Sequence, residues 1–78
     1  MNKKKNKLST PEMVSEFINV CSKYDCDINL YDGRNLIDAK SLIGVFAIAQ
    51  GKAIEVQVIS SDESVILKFI EDMRKFEA

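Results

Sequence analysis

Apolar positions along this chain change their period at polar or glycine punctuation, and each change marks an element. Val14, Phe17, Ile18 and Cys21 recur at helical spacing. Thr10 suits the cap of that helix and Pro11 its first position, where a missing N–H costs nothing. Ser9 with Glu12 forms a rival capping box. The helix is predicted from about Pro11 to Lys23. Asp27 to Tyr31 then alternates as a half-buried strand, Asp32-Gly33 is a strong hairpin turn, and the return strand runs roughly from Arg34 to Asp38. Leu36 and Ile37 are adjacent and leave its buried face undecided.

Ser41 stands ahead of Leu42, Ile43, Val45, Phe46, Ile48 and Ala49, which reads as a helix start, with Gly51 as terminator. Ile54 to Val58 alternates most cleanly and is the strongest strand. Ser60-Ser61-Asp62-Glu63 opens a last helix through capping serines and acids at the positive end of its dipole. Ile66, Phe69, Ile70 and Met73 form its buried stripe, with Lys68, Glu71 and Asp72 mainly on the wet side. Lys3 to Leu8 alternates poorly and is either an edge strand or a frayed terminus. The order (β)-α-β-β-α-β-α predicts an α+β domain with helices on one face of an antiparallel sheet.

Seventy-eight residues suffice for one small domain spanning 1–78. A formal net charge of −1 provides no field for nucleic acid or an anionic membrane. Lys3, Lys4, Lys5 and Lys7 are too few for a polybasic anchor and read as a solvated segment or a guarded edge. No apolar stretch approaches the ~18 residues of a membrane-spanning helix, and no apolar signal core follows the lysines. A cytoplasmic protein is expected.

The chemistry available is narrow. There is no histidine. Cys21 and Cys26 match no zinc or redox spacing, so free thiols are expected, with Cys21 packed on the helix face. There is no glycine-rich phosphate loop and no pair of acids at a recognisable spacing. Neither a cofactor, a metal nor autonomous catalysis is expected.

Three blocks carry a resemblance to a known family: Cys21-Ser22-Lys23-Tyr24-Asp25-Cys26-Asp27-Ile28-Asn29-Leu30, Asp38-Ala39-Lys40-Ser41-Leu42-Ile43-Gly44-Val45, and Glu55-Val56-Gln57-Val58. With the element order, they resemble HPr, the phosphocarrier protein of the bacterial sugar phosphotransferase system, over about residues 8 to 76. The resemblance implies an open-faced sandwich, four antiparallel strands with three helices on one side. It also implies two functional positions. One is a histidine at the start of the first helix, followed by alanine, arginine and proline, which takes a phosphoryl group from enzyme I and passes it on. The other is a serine in a Lys-Ser motif, the target of a regulatory kinase in Gram-positive bacteria.

Here the histidine position is held by Thr10, the arginine position by Glu12 and the proline position by Met13. A phosphothreonine is a stable ester, not a transferable phosphoramidate, and Glu12 would repel the phosphoryl charge that an arginine fork holds. Phosphohistidine transfer is therefore excluded. The serine motif is kept as Lys40-Ser41-Leu42-Ile43-Gly44. The gap from Gly33 to Lys40 is one residue longer than in common members, which points to a different turn or a bulge.

The resemblance thus implies a regulatory or adaptor protein, phosphorylated on Ser41, with Lys40, Leu42, Ile43 and Phe46 as its docking surface. Its partner would be a phosphotransferase component, HPr kinase or a transcriptional regulator. At least one of the three apolar residues is also expected in the core, and Ser41 to serve as an ordinary cap. The alternative is a plain interaction domain with no phosphorylation role.

Overall fold

The computed structural model describes residues 4–48 and 51–77. In chain order they form β1 (Lys4–Lys7), α1 (Pro11–Ser22), β2 (Asp27–Asp32), β3 (Asn35–Asp38), α2 (Leu42–Ile48), β4 (Ala53–Ile59) and α3 (Glu63–Asp72), followed by a 3₁₀ turn, Arg74–Phe76. The strands make one sheet in the order β1-β4-β2-β3, antiparallel throughout. The expected open-faced sandwich is the fold observed.

Alternation explains why one face is covered. Ile28 and Leu30 of β2 and Ile54, Val56 and Val58 of β4 are buried with the α1 stripe of Val14, Phe17, Ile18 and Cys21. On the other face Lys5, Glu55, Tyr31 and Leu36 lie side by side across all the strands. Pairing settles what the adjacent apolar residues of β3 left open: Ile37 turns inward opposite Leu30, and Leu36 is left 58% exposed. On that outer face the Tyr31 hydroxyl donates to Gln57 Oε1 at 2.8 Å.

Two aromatic contacts fasten the C-terminal part to α1 and the turn that follows it. Phe17 meets Phe76 edge-on at 5.4 Å, and Tyr24 meets Phe69 in the same manner at 5.5 Å. Tyr24 also donates its hydroxyl to Asp72 Oδ2 at 2.5 Å, while Lys68 Nζ lies 5.0 Å from the Tyr24 ring centre. This corrects the placement of Asp72 on the wet side of α3. A buried phenol draws the carboxylate inward, and Asp72 is half-buried. Phe69 and Met73 are the buried part of the expected stripe, with Ile66 and Ile70 half-buried.

Several boundaries also move. The hairpin pairs Asp32 with Asn35, so the loop is Gly33-Arg34 and β3 starts one residue later than expected. Gly33 has φ +60, and among the described residues no residue type but glycine has positive φ. Glycine therefore takes the first loop position, the pattern of a type II′ turn, and the pairing has no bulge. At α3 the cap is Asp62, which accepts from the Ser64 amide at 2.9 Å, while Ser60 Oγ accepts from the Asp62 amide. Gly51, expected as the terminator of α2, has φ +79. Ala49, expected within that helix, lies outside the described residues.

β1 forms despite its weak pattern, and it carries a cost. Asn6 points inward opposite Ile54, is fully buried, and neither its Oδ1 nor its Nδ2 finds a protein partner. Each such group costs about 1–3 kcal/mol. Asn6→Val should therefore stabilise the protein by about 1–3 kcal/mol, seen as a rise of ~4–8 °C in Tm per kcal/mol. A lower Tm would show that the amide is satisfied in solution.

Two buried acids make stability depend on pH. Burial pushes the Cys21 thiol up to about 12 from an ordinary 9.0, with the Lys40 charge opposing and the Asp38 charge adding. Burial and the bond to Asp72 raise the Tyr24 phenol above its ordinary 10.0. Both groups ionise more easily in the unfolded chain. Their contribution is complete below about pH 9 and is lost as pH rises through the folded values. The urea midpoint should hold to about pH 8 and fall by about pH 10.5, with a flatter profile in Cys21→Ala/Tyr24→Phe.

Candidate functional site

The start of α1 is built as a cap. Thr10 has extended backbone angles, and its Oγ1 accepts the Met13 N–H at 3.1 Å while its carbonyl accepts from Val14. Thr10 therefore prevails over Ser9 as the cap, because Pro11 fixes the first helical position directly after it. The Thr10 hydroxyl is engaged in holding the helix. Glu12 is exposed in the first turn and favours the helix dipole. It makes no ion pair among the described residues.

The start of α2 is organised by Asp38, Lys40 and Ser41. The Asp38 carboxylate accepts the Lys40 N–H at 2.9 Å, and the Asp38 carbonyl accepts the Ser41 N–H at 3.0 Å. Ser41 Oγ accepts from the Gly44 amide at a long 3.3 Å, and its carbonyl takes the Val45 N–H at 2.9 Å. Ser41 therefore caps the helix, as expected, while its side chain stays exposed. Lys40 is half-buried, and its Nζ donates to the Tyr24 carbonyl at 2.6 Å. Its charge ties this loop to the end of α1.

Leu42, Ile43 and Phe46 are 54%, 84% and 38% exposed. This corrects the expectation that one of them enters the core. Val45 is the buried residue of α2, with Ile48 packed partly beside it. The short helix can seat Val45 because Gly44 lets its backbone approach β3 closely. A Cβ on Gly44 would lie 2.7 Å from Ile37 Cγ2.

The start of α1 meets the far half of α2 at a hollow of about 280 Å³. Leu8, Thr10, Pro11 and Val14 line one side, and Phe46 and Gly51 the other. The structure thus joins Phe46 to the Thr10 position, while Lys40 is occupied elsewhere. Leu8, Pro11 and Val14 carried no sequence signal as site residues, because the hollow draws on segments far apart in the chain.

Gly44→Ala should be destabilising even though alanine is the better helix former by about 1 kcal/mol. The stiff γ-methyl of Ile37 must move, and overpacking costs about 1–3 kcal/mol. A lower Tm and broadened amide resonances in α2 are the expected result. A raised Tm would mean that α2 and β3 can separate freely.

Comparison with known proteins agrees with this geometry. The family described as PTS-HPr, PTS HPr component phosphorylation site, matches residues 12–75. The fold is similar to HPr-C-His from Thermoanaerobacter tengcongensis, with a TM-score of 0.73 and 18% identity over 96% of this chain and 92% of that one. It is also similar to a phosphocarrier protein HPr from Bacillus anthracis str. Ames, with a TM-score of 0.70 and 20% identity over 96% and 95%. With its sequence matched from Glu12 onward, this histidine-free chain belongs to the HPr family of the phosphotransferase system.

Proposed function

We propose that this protein is a cytoplasmic regulator or adaptor of the phosphotransferase system that has given up phosphohistidine transfer and acts through the Ser41 helix. The observation that carries the reading is the exposed triad of Leu42, Ile43 and Phe46 on a helix capped by an accessible Ser41. That helix adjoins a helix start whose only hydroxyl at the HPr histidine position is the Thr10 cap. Ser41 is the residue a regulatory kinase would modify. A phosphoryl group there would place negative charge at the amide end of α2, next to the apolar face, and so alter docking without changing the fold. The partner is a protein: a phosphotransferase component, HPr kinase or a transcriptional regulator. The chain itself catalyses no reaction.

A second reading, a docking domain without phosphorylation, is favoured by the fact that Lys40 and Ser41 each have a structural task already. The two separate by intact-mass measurement after incubation with HPr kinase and ATP, alongside enzyme I and phosphoenolpyruvate. The regulatory reading expects one phosphoryl group from the kinase, absent in Ser41→Ala, and none from enzyme I. Modification by neither donor leaves the docking domain. Transfer from enzyme I that Thr10→Ala abolishes would overturn both.

A further inference from the structure

A second hollow adjoins the first at Pro11. It is a shallow depression along the outer side of α1, lined by Pro11, Glu12, Ser15, Glu16 and Asn19. Pro11 lines both hollows, so an apolar depression and an acidic one adjoin at that residue. The apolar one has a deep floor, since Leu8 is 1% and Val14 2% exposed. The acidic one carries two carboxylates and no lining cation.

The neighbouring charges leave this polarity in place. Glu16 shares its charge with Lys75 at 2.7 Å, but Glu12 makes no ion pair among the described residues. Lys52, next to Gly51, is held by Asp32 at 2.8 Å. Lys7 alternates with the inward residues Asn6 and Leu8 and so projects from the opposite sheet face. α2 contributes no charged residue at all.

We infer that these adjoining hollows receive an unphosphorylated protein segment that seats a large apolar side chain between Val14 and Phe46 and sets a lysine or arginine against Glu12. This deepens the docking reading proposed above and rests on it. An open hollow of about 280 Å³ is below the ~300–1,000 Å³ that encloses a small molecule. It suits one branched or aromatic side chain, the kind of anchor that dominates protein interfaces. A carboxylate at its edge selects a cationic neighbour and disfavours an acidic or phosphorylated one.

The test is selection of a random peptide library of about twelve residues, displayed on phage, against the immobilised full chain. Enriched peptides are then made synthetically and titrated by calorimetry and amide NMR. The expected consensus has a large apolar residue with lysine or arginine within about one helical turn. Binding should weaken ~10-fold in Glu12→Lys and as added salt screens the pair. Shifts should centre on Thr10 to Ser15 and Phe46. Because Glu12 is exposed, that variant keeps the fold. The inference is overturned if nothing is enriched, if the consensus is acidic, or if Glu12→Lys binds as well as the parent. Shifts confined to Leu42 and Ile43, insensitive to Glu12→Lys, would also overturn it while leaving the docking reading intact.

Discussion

The buried stripe of α1 is the contact on which everything else in this small protein depends. With only one face of the sheet covered, all apolar burial has to occur in a single layer, and α1 is the longest element in it. Val14 forms the floor of the hollow, Phe17 holds the C-terminal turn through Phe76, and Cys21 closes the far end beside Tyr24. Because Thr10 and Pro11 set where the helix begins, they also set the phase of that stripe. The helix cap and one wall of the hollow are thus one piece of construction.

α2 is positioned differently. Its footing is one buried side chain, Val45, a glycine that permits close approach to Ile37, and a loop tethered by Lys40. The short Lys-Ser-apolar-apolar-Gly run therefore serves the fold at three points before any partner is considered. Lys40 reaches a carbonyl across the loop, Ser41 caps, and Gly44 makes room. What remains unspent is Leu42, Ile43 and the exposed part of Phe46.

How far the chain could be read depended on whether local signals agreed. At α1, cap, proline and stripe all point the same way, and the helix lies within a residue of expectation. At the hairpin a strong Asp-Gly signal named the right place but the wrong loop pair, since only glycine takes positive φ without strain. At β3 the inward residue could not be read from Leu36-Ile37, because pairing with β2 decides it. At β1 the run Lys4 to Lys7 shows no alternation, and a buried Asn6 is not something periodicity predicts. The site was half legible. The Ser41 cap follows from the motif, the exposure of all three of Leu42, Ile43 and Phe46 does not, and the hollow exists only once Leu8, Val14 and Phe46 have been brought together.

α2 spans only Leu42–Ile48, too short a segment to hold a helical shape by itself in water. Its conformation exists only while it is docked on β3, so the surface it presents exists only in that fraction of molecules. The apparent affinity of any protein that grips Ile43 is then the intrinsic affinity scaled by that docked fraction. Residues that never touch the partner, Ile37 and Lys40 among them, become determinants of binding strength through the equilibrium they maintain. Conversely, a bound partner holds α2 down, and some of its binding free energy reappears as resistance of the whole domain to unfolding.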